Sequence, residues 1–227
     1  MSFIELLPIA MLGAVLGLDV VSFPQAMISR PIVAATFAGA FVGHAGLGLI
    51  AGAALELIAL ETLPFGASRY PEWGSASVVG GAIFAAQPNG TAGALCVAVL
   101  ASLATAWIGG WTMHVHRQSI ARWARRLRKG LDSGSSRTVV GLQLFGLTSD
   151  LIRGLLLTGV ALLVFHPIAR ASLATWSVDP RLSRAVVATM SAVVAGAAAW
   201  KLFNTFVGAR WIFLGGLAAG LALLALR

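Results

Sequence analysis

The chain contains little charge. Only 11% of its 227 residues are charged, against about 25% in soluble domains, while 58% are hydrophobic and the mean hydropathy is +0.88. This composition excludes a soluble enzyme, a disordered chain and a coiled coil. The apolar stretches are too long for a globular core. The sequence therefore predicts an integral membrane protein with room for at most about seven or eight crossings.

The sequence also lacks the marks of several other protein classes. Polar and apolar residues do not alternate along it, which excludes a lipid-facing β-barrel. Its one cysteine, Cys96, excludes an intrachain disulfide. We find no metal-ligand spacing, Walker lysine motif or nucleophile–base pair, so we expect no metal, no cofactor and no catalytic residue of its own. The continuous apolar runs instead predict an all-α, polytopic helical bundle with re-entrant helical hairpins.

The charge that is present concentrates in one block. The net charge is +8, and six of the sixteen basic residues lie between Arg117 and Lys129, with no acid among them. One interpretation is nucleic-acid binding. The preferred one is a cytoplasmic loop that obeys the positive-inside rule, with no nucleic-acid partner. Ile120, Trp123 and Leu127 recur at helical spacing, which predicts an amphipathic helix lying on anionic lipid headgroups.

The basic block divides the chain into three parts. We predict an N-terminal membrane part at 1–113, a basic amphipathic cytoplasmic loop at 114–137 and a C-terminal membrane part at 138–227. In the first part, Gly13-x-x-x-Gly17 is the pattern of a close helix contact.

A glycine cluster interrupts the second apolar stretch. Gly43, Gly46 and Gly48 lie in its middle, and the pieces on either side, Pro31–Val42 and Leu47–Leu60, are each too short to cross about 30 Å comfortably. This arrangement predicts a re-entrant hairpin, whose turn must be buried in protein or face water. The alternative is one long tilted helix with a glycine kink.

Charged and polar side chains inside the N-terminal part are candidates for a binding site, because such groups are costly in a membrane. Glu56 lies deep in a short apolar helix, where it could accept hydrogen bonds from the hydroxyls of a polar ligand or carry a proton. Alternatively, it could pair with Arg30. Gln25, Ser29 and Glu72 could face the same cavity.

The C-terminal part offers fewer candidates. Its apolar stretch at 138–169 is interrupted by Asp150 and Arg153, which share one helical face and are interpreted as a local ion pair. We expect this helix to end at His166-Pro167. A further apolar segment is expected at Ala185–Trp200.

Three motifs in the N-terminal part resemble those of a known family. They are Q-x-M-I-S-R-P at Gln25–Pro31, G-x-x-L-E-L-I at Gly52–Ile58 and F-G-A-x-x-x-P-E at Phe65–Glu72. Together they are similar to the membrane subunit IIC of the mannose/sorbose-type sugar phosphotransferase system. The similarity covers about the first 90 residues well, and the C-terminal half matches mainly in hydrophobic layout.

The resemblance implies a multi-pass subunit of the bacterial cytoplasmic (inner) membrane, in contact with lipid. Such a subunit binds a hexose or amino sugar, which a cytoplasmic IIB component phosphorylates, and its cytoplasmic partners are the IIA and IIB components. It works beside a homologous membrane subunit, IID, in a trimer of IIC–IID pairs. The implied sugar region includes Gln25, Glu56 and Glu72, to which Ser29 and Arg30 are added as neighbours. The competing interpretation is a repurposed, non-transporting scaffold or regulatory partner with the same fold.

Overall fold

The computed structural model describes residues 3–20, 22–60, 70–87, 90–185, 188–189, 192, 196 and 208–225. All regular elements in these ranges are helices. They are α1 (Phe3–Asp19), α2 (Pro31–Phe41), α3 (Ala45–Ala59), α4 (Trp73–Ala85), α5 (Ala92–Arg126), α6 (Arg128–Asp132), α7 (Ser136–Ala174) and a last helix, Ala209–Ala225.

Two of these helices, α5 and α7, are long and apolar enough to cross a membrane by length and composition. The other apolar helices are shorter. With 11 and 15 residues, α2 and α3 reach only about 17 and 22 Å at 1.5 Å per residue. This mixture of long and short apolar helices confirms the predicted fold class.

The α2–α3 hairpin confirms the predicted turn at the glycine cluster and excludes the kinked span. The chain reverses at residues 42–44, where Gly43 has a φ of +94°, a conformation that side-chain-bearing residues rarely adopt. The two backbones then touch. A Cβ atom built on Gly48 would lie 2.3 Å from the carbonyl oxygen of Ala35 and 2.9 Å from the Cα of Gly39.

Helix α4 lies at the centre of the bundle and packs against α1, α2, α3, α5 and α7. All of its residues are buried, which suits a helix that is apolar on every face. Its glycines and serines allow neighbours to approach closely: Gly81 lies against Ala35 of α2. Helix α4 therefore positions the other helices of the N-terminal part.

Helix α1 packs through the predicted glycine pattern. Gly13 lies directly against Thr158 of α7, and Gly17 lies against Ser75 of α4. Larger side chains at either position would separate these helices, as expected for small residues at membrane helix contacts.

The basic block differs from its prediction in one respect. Residues 114–126 are helical, but they continue α5 without a break, so the predicted boundary between residues 113 and 114 falls inside a helix of 35 residues. Helix α6 then turns the chain, and α7 returns alongside α5. The block is therefore the far end of a long helical hairpin rather than a separate surface helix.

The predicted end of α7 at His166-Pro167 is wrong, because the helix runs through Pro167 to Ala174. Proline removes one backbone hydrogen bond and normally ends or kinks a helix. Inside a membrane helix it is tolerated, since packing and local adjustment compensate for the lost bond. Within the predicted segment Ala185–Trp200, the structure describes only residues 185, 188, 189, 192 and 196. The first five residues of the Phe65–Glu72 motif lie outside the described residues.

Candidate functional site

The polar loop, residues 22–30, follows α1 and is organised by Asp19. The buried Asp19 carboxylate accepts hydrogen bonds from the backbone N–H groups of Ala26, at 2.6 Å, and Ser29, at 2.9 Å. Sequence reasoning assigned Asp19 no role. The available signal was an acid at the point where an apolar helix meets a polar break.

Two residues of the polar loop have left-handed backbone conformations. Gln25 has a φ of 58° and Met27 a φ of 61°, and both are exposed. Such conformations are uncommon outside glycine, and they often occur where a surrounding structure holds a loop for function. The Asp19 carboxylate holds the backbone of Ala26 and Ser29 beside these two residues.

Arg30 and Glu56 meet where the ends of α2 and α3 lie together. The Arg30 guanidinium donates to Oε1 of Glu56 in an ion pair, and the backbone N–H of Ile32 donates to Oε2 at 3.2 Å. Glu56 thus caps the first turn of α2, where a negative charge also favours the helix dipole. This ion pair is the contact that the interpretation of Glu56 as a partner of Arg30 requires. Both side chains stay partly exposed, at 33% for Arg30 and 17% for Glu56.

Glu72 lies elsewhere, in the interior of the bundle. Its Oε1 accepts from the backbone N–H of Ser75 and caps α4, while Gly17 of α1 and Gly109 of α5 enclose it. Its Oε2 is buried and makes no hydrogen bond with the described residues. The predicted site therefore divides: Gln25, Ser29, Arg30 and Glu56 lie on the polar loop and the adjoining hairpin, and Glu72 lies among α1, α4 and α5.

A second polar cluster connects the polar loop to α7. Asp150 and Arg153 form the predicted ion pair at 2.8 Å, with side chains only 2% and 9% exposed. Ser22 donates to Asp150 at 2.8 Å, and Arg153 donates to Thr112 of α5 at 3.3 Å. The polar loop is therefore held by carboxylates on two helices.

Two cavities lie at opposite ends of the bundle. One of about 370 Å³ adjoins the second cluster and is lined by Ser22, Asp150 and His116. His116 lies in the extension of α5, and burial lowers its pKa because the charged imidazolium is disfavoured there. The other cavity, of about 1230 Å³, is open and lies between residues 90–95 and 173–184.

Comparison with known proteins identifies the family. The family model described as the PTS system sorbose-specific IIC component matches residues 3–195. The chain belongs to this family. It is a membrane component of a sugar phosphotransferase system, and membership implies a sugar substrate and cytoplasmic IIA and IIB components. The resemblance drawn from the three motifs is thereby confirmed.

A solved structure supports the fold independently. Described as "Structure of membrane protein", it has a TM-score of 0.75 and 18% sequence identity, and it aligns over 100% of this chain and 92% of its own. No curated protein matches the chain. At this identity the solved structure supports the fold alone, so the roles of Gln25, Ser29, Arg30, Glu56 and Glu72 remain predictions.

Proposed function

We propose that this chain is the membrane-spanning IIC subunit of a sugar phosphotransferase transporter. It binds and translocates a hexose or an amino sugar, which a separate IIB subunit phosphorylates. The observation that carries the proposal is the family match over residues 3–195. The resemblance adds further parts to the proposal: a IID partner, a trimer of IIC–IID pairs and a multi-pass location in the bacterial cytoplasmic membrane.

The proposed sugar site lies at the Arg30–Glu56 pair and the polar loop. A carboxylate accepts hydrogen bonds and a guanidinium donates them, so the pair offers both functions to neighbouring sugar hydroxyls. Hydrogen bonds to charged groups are stronger than those between neutral groups. The partial exposure of both side chains leaves them accessible, and the exposed Gln25 adds an amide on the same loop.

Glu72 takes a different part in this proposal. Since it is buried and caps α4, we assign it to holding α4 against α1 and α5 behind the site. Asp19 has the corresponding role for the polar loop, because it fixes the backbone of Ala26 and Ser29. Ser29 then contributes through its backbone position beside Arg30.

Sugar binding to the purified protein tests the proposal. A panel of hexoses and amino sugars is titrated against the wild type, Glu56→Gln and a control, Gln143→Ala, whose exposed side chain lies on α7 at the basic end. We expect Glu56→Gln to weaken binding by about ten- to a hundred-fold, because an amide group replaces an acceptor. The control is expected to bind as the wild type.

Assembly is measured on the same samples by size-exclusion chromatography. Unchanged sugar binding with intact assembly would remove Glu56 from the site. Lost assembly would make Glu56 a residue of the scaffold. If the wild type binds none of the sugars, the transport proposal fails and the repurposed scaffold becomes the better interpretation.

A further inference from the structure

The polar loop has a backbone that needs support from its surroundings. Gln25 and Met27 have φ angles of 58° and 61°. Residues with a side chain adopt such angles at a cost in free energy, and they keep them where neighbouring contacts determine the conformation. Gln25 belongs to the proposed sugar site. The affinity of that site therefore depends on the contacts that hold the loop.

One support of the loop comes from α1. The Asp19 carboxylate, which is buried, accepts hydrogen bonds from the backbone N–H groups of Ala26 and Ser29. Both groups follow Gln25 in the chain. Asp19 thus holds the second half of the loop, which leads to Arg30 and the start of α2.

The first half of the loop is connected to α7. The hydroxyl of Ser22 donates to Oδ2 of Asp150 at 2.8 Å, although the two residues are 128 positions apart. A hydrogen bond to a carboxylate is about twice as strong as one between neutral groups. The backbone N–H of Ser22 also donates to the carbonyl oxygen of Leu18 at 2.8 Å, so α1 holds its backbone and α7 holds its side chain. Gln25 lies between this support and the one at Asp19.

Asp150 is itself held in a fixed orientation. Arg153 donates to its Oδ1 at 2.8 Å, and Oδ2 accepts from Ser22. Arg153 also donates to the hydroxyl of Thr112 at 3.3 Å, and that hydroxyl donates to the carbonyl oxygen of Gly109 at 2.9 Å. A continuous path of hydrogen bonds therefore runs from α5 through α7 to the polar loop. Its central ion pair is buried, where hydrogen bonds are stronger than in water.

Open space lies beside the bond between Ser22 and Asp150. Both residues line the cavity of about 370 Å³, and Ser22 is exposed. Without the bond, the loop has room to move away from α7, and Gln25 and Met27 can relax toward negative φ angles. The bond therefore favours one loop conformation among those that the space allows.

We propose that Ser22 and Asp150 are positioning residues of the sugar site. They hold Gln25 and the start of α2 in the conformation that binds sugar, without touching the sugar. This inference rests on the proposed function, which supplies the ligand. The free protein exchanges between a held and a released loop, and only the held loop binds. Loss of the bond therefore weakens the binding of every sugar by the same factor, because the exchange precedes any sugar contact.

Calorimetric titration of the purified protein with the sugars that it binds tests the proposal. Ser22→Ala removes the hydroxyl and leaves the ion pair of Asp150 and Arg153 in place. We expect Kd to rise about three- to tenfold for each sugar, which corresponds to a held population of about a third to a tenth. Ser22→Thr, which keeps a hydroxyl, is expected to restore binding. The matched control is Ser149→Ala, which removes a hydroxyl that bonds only to carbonyl oxygens of α7, and it is expected to bind as the wild type.

The stoichiometry of the titration separates positioning from damage to the fold. Unfolded protein lowers the number of binding sites per chain and leaves the Kd of the folded protein unchanged. A released loop raises Kd at full stoichiometry. Unchanged Kd values for Ser22→Ala would overturn the proposal. So would a lower stoichiometry alone, which would make Ser22 a residue of the scaffold, or a loss confined to one sugar, which would make it a contact residue.

A spin label tests the loop without any sugar. The label is attached to Met27→Cys, whose parent side chain is 70% exposed, after Cys96→Ala. We expect the label to be more mobile when Ser22→Ala is added and unchanged when Ser149→Ala is added. Equal mobility in all three proteins would overturn the proposal. A wild type that binds no sugar would refute the proposed function, and the label would then decide by itself whether Asp150 holds the loop.

Discussion

The Arg30 guanidinium is paired with the Glu56 carboxylate, although the two residues are 26 positions apart in the chain. The pair joins the start of α2 to the end region of α3, at the open end of the hairpin. The opposite end is closed by the turn at residues 42–44. The two helices are therefore connected at one end by the backbone turn and at the other end by the Arg30–Glu56 ion pair.

A double-mutant cycle at this pair measures the connection. We expect Arg30→Gln and Glu56→Gln each to lower the free energy of unfolding, and the double variant to lose less than the sum. Because both side chains are partly exposed, the coupling is expected to be about 1 kcal/mol or less. Denaturant unfolding in detergent micelles provides the measurement. Strictly additive losses would show that the pair adds no stability.

Two glycines of α3 should respond in opposite directions to alanine. In Gly48→Ala the new Cβ would lie 2.3 Å from the carbonyl oxygen of Ala35, and backbone atoms have little freedom to move away. We expect a loss of about 1–3 kcal/mol. In Gly46→Ala the Cβ meets nothing within 4 Å, so improved helix propensity should stabilise the protein by up to about 1 kcal/mol. Thermal unfolding of both variants checks the contrast, and equal effects would contradict the close hairpin contact.

Two ion pairs allow a comparison of buried and exposed charge. Asp150→Asn leaves the buried Arg153 without its ionic partner, and we expect a loss of about 3–5 kcal/mol or failure to fold. Asp132→Asn breaks the pair with Arg128, in which both side chains are mostly exposed, and we expect a change within about 0.5 kcal/mol. Unfolding and expression levels are measured for both. Similar losses would contradict the burial of the Asp150 pair.

The sidedness of the basic residues at 117–137 is a separate prediction. The positive-inside rule places residues 117–137 in the cytoplasm. With Cys96 first replaced, Ser133→Cys should resist a membrane-impermeant thiol reagent applied to intact cells. Ser177→Cys, at the opposite end of α7, should react. The reverse pattern would invert the predicted orientation.

Local features of the sequence predicted those parts of the fold that depend on neighbouring residues. The glycine cluster around Gly43 predicted the α2–α3 hairpin, because the pieces on either side are too short to span. The spacing of three between Asp150 and Arg153 predicted their ion pair. The pairing of Arg30 with Glu56 was one of two interpretations, since a carboxylate inside an apolar helix needs either a cation or a polar ligand beside it.

Other parts depend on packing between distant helices, which the sequence does not reveal. Glu72 was grouped with Glu56 because both are charged residues within the N-terminal membrane part, yet α1 and α5 close around Glu72. Asp19 received no role because its partners are backbone N–H groups, which every residue except proline carries. Pro167 predicted the end of a helix because proline cannot donate a backbone hydrogen bond, yet α7 continues through it to Ala174.

The unbroken length of α5 has a mechanical consequence. With 35 residues and no proline, it is a single rod of about 52 Å that runs from Ala92 to Arg126. Tilting such a rod by about 10° about its midpoint moves its two ends in opposite directions by about 4–5 Å each. A displacement of one end of α5 would thus move its other end by a similar distance, with every hydrogen bond of the helix intact. Helix α7 is continuous over 39 residues as well, but it contains Pro167 near its far end, where one backbone hydrogen bond is lost.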